Sequence, residues 1–377
     1  MSSVNHPLRI AMMGLRSFPG VQGGVETHST HLCPLLVQLG CEVEVLARAP
    51  YHPENSPVWR GVRFIRLWAP RSKKLEAIIH SVICVLHAGL VSRPDVLHIQ
   101  AIGPALVTPL ARLLGLKVVV THHGPDYERQ KWGKLAKFVL RLGEYVGMRC
   151  SHQRIVISSV IREIVQDHHH RDSQLIPNGV EVPILPTGTR SLTPFGLTPG
   201  HYVLLVSRLV PEKRHLDLIA AFRKAKLPGW KLAIVGTSDH PDAYMEQVLQ
   251  SSKDVGNVVC TGFQSGQSLS ELYGHAGLFV LPSSHEGLPI AMLEALSYGL
   301  PVIASDIPAN LELALPAEHY FPLGDVDALA ARLVSFSAQP LTDAARSERR
   351  AWVSERFNWD VIAKQTLKIY HSLYRRH

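Results

Sequence analysis

The sequence predicts an α/β protein of two doubly wound, Rossmann-like domains facing each other across a cleft. Three observations carry that expectation. Short Val- and Ile-rich runs alternate with helical stretches through the first half of the chain. The alternation stops over Ile176 to Pro199, IPNGVEVPILPTGTRSLTPFGLTP, a stretch dense in Pro, Gly and Thr without a helical period. It then restarts at Tyr202. A chain of 377 residues is too long for one ordinary core and suits two. The expected boundaries are a domain over 1–180, a linker over 181–199, a domain over 200–355, and a C-terminal helix over 356–377 packing back on the first domain.

In order, LRIAMMG (8–14) is an apolar strand ending in Gly. The Gly-rich loop FPGVQGGVE (18–26) follows, then a helical stretch to Leu39. EVEVLA (42–47), VRFIRLW (62–68), DVLHIQA (95–101), KVVVTHH (117–123) and RIVISS (154–159) read as further strands, mostly separated by helices. After the break, strands are expected at 202–209, 231–237, 257–263, 277–283 and 301–305. Helices are expected at 215–225, at 268–276 and through 343–374. Such alternation implies mainly parallel sheets covered on both faces, with ligands at the carboxyl ends of the strands.

Composition excludes several classes. Apolar residues make up 46% and charged residues 19%, which suits a folded protein rather than a disordered one. The most apolar stretch, 75–91, carries Glu76, His80 and His87 and is short of the ~20 residues a membrane span needs. No secretion signal is expected at MSSVNHPLRI. The five cysteines, Cys33, Cys41, Cys84, Cys150 and Cys260, form no C-x-x-C pair and read as reduced thiols in a cytosolic protein. The run His168 to His170 sends adjacent side chains in different directions, so no metal site is expected. Residues 1–180 hold 21 Lys and Arg against 12 Asp and Glu, whereas 181–377 hold 18 against 19. That asymmetry points to an anionic surface or substrate beside the first half.

The chemistry-bearing residues fall at predicted strand tips. In PSSHEGLPIAMLEALSYG (282–299) a loop carries Glu286, and Pro289 falls near the first helical position. The backbone N–H groups of Gly287, Leu288 and Ile290 would then form a helix-start anion site suited to a diphosphate. Glu294, one turn on, could accept both hydroxyls of a ribose. The plainer account makes Glu286 a cap and Glu294 a surface charge. Arg208 and Lys213 straddle a strand end and could neutralise a departing diphosphate, or simply be a solvated loop. Gly23 and Gly24 follow the first strand and would allow close approach of a phosphate or sugar. They do not form G-x-G-x-x-G, which counts against a dehydrogenase. KVVVTHHG brings His122, His123 and Asp126 to a strand tip, for sugar hydroxyls or for structure.

Glu286-Gly-Leu-Pro-Ile-Ala-Met-Leu-Glu294 resembles the E-x7-E signature of retaining glycosyltransferases with the GT-B fold. The wider set is similar to glycosyltransferase family 4. It comprises Gly23-Gly24-Val25-Glu26, Thr121-His122-His123-Gly124, Ile176-Pro177-Asn178-Gly179-Val180, Ser207-Arg208-Leu209 through Lys213, Asn257 to Gly262, and Gly299 to Ser305. These pieces span nearly the whole chain in the family's order. One piece departs: where the family often has a D-G-x-x-G loop after the position of Glu312, this chain reads LALPAEHYFPLGD.

The resemblance implies that 1–180 serves the acceptor and 200–355 the nucleotide-sugar. It implies that Glu294 holds the donor ribose, Glu286 the transferred sugar, and Arg208 and Lys213 the diphosphate. Gly23 and Gly24 would approach the phosphates, and His123 rather than His122 the sugar or nascent product. Phe263 would lie by the base, with Gly287, Leu288, Pro289 and Ile290 completing the donor site. No metal or other cofactor is expected. The reaction would move a hexose from a UDP- or GDP-sugar to a lipid-linked saccharide in exopolysaccharide, capsule or lipopolysaccharide assembly. Retention would follow from front-face attack. A sugar-nucleotide 2-epimerase and a non-catalytic sugar-nucleotide-binding protein are the other readings.

The basic half fits the acceptor side. Lys131, Lys134, Lys137 and Arg141 recur along one helix face beside Trp132, with Leu135, Val139, Leu142 and Val146 on another. Arg60, Arg63, Arg66, Arg71, Lys73 and Lys74 form a second basic stretch. Peripheral binding at the anionic cytoplasmic face of the membrane is the expected partner reading, against a plain solvated helix face. Nucleic acid is not expected, because no binding motif accompanies the charge.

Overall fold

The computed structural model describes residues 6–53, 56–70, 75–128, 133–238, 242–339 and 341–374. The chain forms two compact units. The first runs to Asn178 and resumes at Trp359; the second is Gly179–Asn358.

The first unit holds β1 (Arg9–Met13), β2 (Glu42–Arg48), β3 (Val58–Trp59), β4 (Val62–Leu67), β5 (Val96–Gln100), β6 (Val118–His122), β7 (Gln153–Val156) and β8 (Gln174–Leu175). Their order across the sheet is β3-β4-β2-β1-β5-β6-β7-β8. Only the short β3 pairs antiparallel among these. Helices α1 (Gly24–Gln38), α2 (Glu76–His87), α3 (Thr108–Leu113), α4 (Lys134–Cys150) and α5 (Ser159–His169) accompany the sheet. Every residue of β5 and of β6 is buried, as expected of strands covered on both faces. The strand order reverses at β1, with β2 on one side and β5 on the other. Open α/β sheets bind ligands at the carboxyl ends of such strands.

Helix α4 departs from the expected separation of a basic face from an apolar one. Leu135 is 77% exposed and Leu142 40%. Phe138 is 63% exposed and Tyr145 46%. The buried face is Gly143, Glu144, Gly147 and Met148. The two glycines bring the helix backbone close to its neighbours. A Cβ on Gly143 would meet Ile102 O at 2.3 Å, and one on Gly147 would meet Ala105 Cβ at 2.6 Å. Exposed Lys134 and Arg141 therefore interleave with exposed apolar side chains rather than opposing them. Lys131, Trp132, Arg71, Lys73 and Lys74 lie outside the described residues.

The second unit holds β9 (Tyr202–Val206), β10 (Lys231–Val235), β11 (Val258–Gly262), β12 (Leu278–Leu281), β13 (Val302–Ser305) and β14 (Tyr320–Phe321). The order is β11-β10-β9-β12-β13-β14, with every described pairing parallel. Its helices are α6 (His215–Ala225), α7 (Ala243–Val255), α8 (Gly266–Gly274), α9 (Ile290–Ser297), α10 (Pro308–Leu311), α11 (Val326–Ser337) and α12 (Asp343–Arg356). Here the reversal falls between β9 and β12.

The last helix, α13 (Trp359–Ser372), belongs to the first unit. Trp359, Ile362, Ala363 and Tyr370 join the core built by α1 and β1. The stretch 181–199 is no free linker: it is part of the second unit. Leu192 and Leu197 are buried. The Ser191 N–H donates to Glu271 Oε2 at 2.8 Å, and Arg350 Nη2 donates to Pro183 O at 2.7 Å. A Pro- and Gly-rich segment lacks regular backbone bonds, and here side chains of α8 and α12 supply partners. Among the described residues no helix is long and apolar enough to cross a membrane.

Candidate functional site

The second unit's reversal point gathers the strongest chemistry. The segment after β9 turns through a short helix, Pro211–Lys213, while the segment after β12 carries Glu286. Lys213 Nζ lies 2.5 Å from Glu286 Oε1, with both side chains largely sheltered. Two backbone contacts hold the turn: the Ser284 N–H donates to Glu212 O at 2.8 Å, and the Lys213 N–H to Val210 O at 3.0 Å. Burial pushes the Glu286 carboxyl up, but Lys213, with Ser283 and His285 assisting, leaves it below its ordinary value. Glu286 is therefore an anion at neutral pH. Behind Lys213, buried His215 bonds Ser207 Oγ at 2.9 Å. Burial, then the Lys213 charge, lowers it to about 3, so no second positive charge competes there. Arg208, two residues past β9, is partly buried on the same strand end.

Helix α9 starts at Ile290, with Pro289 as N-cap at φ −77° and ψ 95°. Pro289 thus stands directly before the first helical position. Its carbonyl accepts from the N–H groups of Met292 and Leu293 at 3.1 and 3.2 Å. The N–H groups of Ile290 and Ala291 have no intrahelical acceptor, as at any helix start. Gly287 and Leu288 form the approach to it, Leu288 being buried. Glu294 sits one turn in. It accepts a hydrogen bond from Tyr273 OH at 2.9 Å, a residue the sequence reading did not single out. Tyr273 is buried and stacked on Tyr298, with centroids 5.2 Å apart and planes within 8°. Phe263, just past β11, is 43% exposed and stands two strands away from β9.

Tyr273→Phe keeps the stack and removes one hydrogen bond to a carboxylate. If Glu294 holds a ribose, nucleotide dissociation constants should rise about tenfold, with folding intact. Titration calorimetry with a nucleoside diphosphate checks this, and an unchanged constant would remove Tyr273 from the site.

In the first unit Gly23 caps α1 and Gly24 opens it. A Cβ on Gly23 would meet Glu26 Oε2 at 2.1 Å, while Gly24 has open space around it. Arg16 Nε donates to Glu26 Oε1 at 3.0 Å, and Arg16 also bonds Gln22 O, so this pair pins the loop. The two histidines of THHG separate by strand alternation. His122 turns inward, its Nε2 2.7 Å from Glu144 Oε1 on α4, while its Nδ1 accepts from the Gly124 N–H at 3.1 Å. Glu144 also lies 3.4 Å from His169 Nε2. This buried group fixes the turn. His123 takes the other side, with Nε2 2.6 Å from Gln100 Oε1.

Comparison with known proteins follows the same division. A model described as Glycosyltransferase Family 4 matches residues 22–182, and one described as Glycosyl transferases group 1 matches 197–357. The chain is 27% identical to glycogen synthase of Mycobacterium tuberculosis, covering 96% of this chain and 94% of that protein. It is likewise 27% identical to an Escherichia coli UDP-Gal:alpha-D-GlcNAc-diphosphoundecaprenol alpha-1,3-galactosyltransferase, over 73% of this chain and 74% of that one. The fold is that of sucrose-phosphate synthase from Thermosynechococcus elongatus, with a TM-score of 0.83 at 23% identity over 97% and 99% of the two chains.

Proposed function

Because this chain belongs to the family-4-like glycosyltransferases of the GT-B fold, we propose that it is a retaining hexosyltransferase working at the inner face of the membrane. It moves a hexose from a UDP- or GDP-sugar to a lipid-linked saccharide in cell-surface polysaccharide synthesis. The observation that carries this reading is the Lys213–Glu286 pair at the β9/β12 reversal. A fixed cation and an ionised carboxylate there suit a diphosphate and the sugar attached to it. The E. coli relative's name supplies the likeness for hexose, nucleotide and lipid-linked acceptor.

Each residue has a stated task. Arg208 and Lys213 neutralise the diphosphate as its bond to the anomeric carbon breaks. Glu286 holds the transferred sugar, and Glu294 takes the ribose hydroxyls. Gly23 and Gly24 leave room for the phosphates, Gly287, Leu288, Pro289 and Ile290 shape the anion site, and Phe263 lies along the base. His123 contacts the sugar. The acceptor oxygen bonds to the anomeric carbon on the face the diphosphate leaves, and a leaving phosphate oxygen takes the acceptor's proton. The protein then positions and stabilises charge and needs no base of its own.

The deciding assay incubates the protein with UDP-glucose, UDP-galactose and GDP-mannose, with and without membrane lipid extract. Nucleoside diphosphate release that needs the extract, with sugar passing to lipid, is expected. A changed sugar on the intact nucleotide would make it an epimerase, and binding without turnover a non-catalytic protein. With two cations already placed, EDTA should leave the rate within about twofold; a loss as large as tenfold would mean a metal supplies the ~1.4 kcal/mol at stake.

The α4 face supports the membrane part. Leu135, Phe138, Leu142 and Tyr145 are exposed, and exposed Lys134, Arg141 and Arg149 surround them. Such a face inserts apolar groups while its cations meet anionic lipid. Phe138→Ser should lower retention on vesicles of phosphatidylglycerol and phosphatidylcholine roughly tenfold, from an apolar loss of about 1.5 kcal/mol. Flotation at physiological salt reads it; wild-type protein that fails to float excludes the surface.

A further inference from the structure

His123 follows β6 at the carboxyl edge of the first sheet, and its tautomer is fixed by its surroundings. Nε2 lies 2.6 Å from Gln100 Oε1. An amide oxygen only accepts, so Nε2 carries a proton. The amide is oriented from its other end, where Gln100 Nε2 lies 2.9 Å from Met12 Sδ, and a thioether cannot donate. Burial, with His98 and His122 adding to it, lowers His123 to about 3, so the ring holds one proton at neutral pH. Its Nδ1 therefore carries a lone pair, and Nδ1 has no hydrogen-bond partner among the described residues.

Gln100 is well placed to impose this. It is fully buried at the last position of β5. Gly14, at φ +96°, lets β1 close on it: a Cβ there would meet Gln100 O at 2.2 Å. Two residues back on the same strand face, His98 is held by Tyr370 OH at 2.7 Å and Thr121 Oγ1 at 2.6 Å. The titratable groups facing His123 are His28 of α1, with ring centroids 5.0 Å apart, and His98 of β5; burial lowers both of these to about 3. His122 is its neighbour in the chain, and no described carboxylate bonds its ring.

We propose that Gln100 is a positioning residue that fixes His123 as the Nε2–H tautomer, so that Nδ1 accepts a hydrogen bond from a hydroxyl of the transferred sugar. His123 then selects for a hydroxyl and neither donates to the sugar nor acts as an acid. The hydroxyl half rests on the nucleotide-sugar reading; the tautomer half does not.

Two measurements separate the halves. Long-range proton–nitrogen correlation spectra of 15N-histidine-labelled protein, with His123 assigned through His123→Gln, need no substrate. The Nε2–H pattern is expected in the wild type and a mixed pattern in Gln100→Leu; an Nδ1–H pattern in the wild type overturns the proposal. Kinetics then use the best donor among UDP-glucose, UDP-galactose and GDP-mannose, with its monodeoxy analogues. Removing the recognised hydroxyl should lower wild-type kcat/KM roughly tenfold, and Gln100→Leu should no longer discriminate that analogue. Gln100→Glu keeps an acceptor but adds a charge that favours the imidazolium, so as pH is lowered its kcat/KM should begin to fall at a higher pH than that of the wild type. Equal discrimination in wild type and Gln100→Leu, or an unmoved profile in Gln100→Glu, would show Gln100 to be merely structural. The expected tautomer with no turnover of any donor would sink the sugar-nucleotide reading while leaving the tautomer standing.

Discussion

Lys213→Met is expected to lower turnover by about 10²- to 10³-fold, because it removes one cation and disarms an anion at once. In the native arrangement burial pushes the Glu286 carboxyl up, and Lys213, with lesser help from Ser283 and His285, holds it below its ordinary value. Without the ammonium, burial dominates and the folded-state pKa rises. The residual activity of the variant should therefore climb with pH, as Glu286 loses its proton, whereas wild-type activity near neutrality does not depend on that step. Stability should also fall, by about 1–3 kcal/mol, less than for a fully buried pair because some solvent still reaches both groups. A control is available in the same unit: the Lys224–Asp327 contact is an ion pair whose side chains are 56% and 71% exposed. Lys224→Met should leave both turnover and melting close to wild type. Steady-state kinetics over pH 5.5 to 9, with melting curves for both variants, decide the matter. Near-normal turnover in Lys213→Met would remove the pair from the diphosphate site.

Much of this arrangement is legible in the sequence because parallel sheets leave a plain trace. The runs RIAMM, VLHIQ and VVVTH are mostly apolar and lack a polar residue at every second position; they appear as β1, β5 and β6, buried on both faces apart from Arg9. The E-x7-E spacing places Glu294 a turn inside a helix that begins after Pro289, and that helix is present. Period-two alternation likewise separates His122 from His123. Pairings between distant segments leave no such trace. Lys213 and Glu286 are 73 residues apart, and Tyr273 reaches Glu294 from a different helix. Gln100 reads as one more residue of a strand end until His123 folds against it. The packing side of α4 is hard to read from the sequence for a different reason. Apolar residues at helical spacing look alike whether they meet a sheet or face outward. The deciding signal was Gly143 and Gly147, four residues apart, since a stripe of missing side chains marks the side on which a helix packs most closely.

The first unit should lose stability in acid before the second, because it stores more unprotonated histidine. Burial lowers His28, His98 and His123 to about 3, and His80 and His152 to about 4. In the second unit the histidines with a resolved depression are His215 and His319. A histidine whose folded-state pKa lies below its unfolded value of about 6.5 favours the fold fully above that value. The contribution is lost as pH falls from about 6.5 toward 3, since the unfolded chain takes up protons the folded one refuses. Each of the well-buried groups costs up to about 1.4 kcal/mol per pH unit in that window, and the more solvated His152 contributes less. His28, His98 and His123 are mutually adjacent and lower one another, so their effects do not simply add. Even two effective protons between pH 6 and pH 4 amount to roughly 5 kcal/mol, comparable with the whole stability of many domains. Hydrogen exchange at pH 7, 5.5 and 4.5 should thus show β5, β6 and α1 opening while β9 and β12 stay protected. His98→Gln, which removes one titrating group, should flatten the loss by up to about 1.4 kcal/mol per pH unit. Opening that begins in β9 and β12, or protection of β5 and β6 that is indifferent to pH, would mean the buried histidines are solvated well enough to protonate in place.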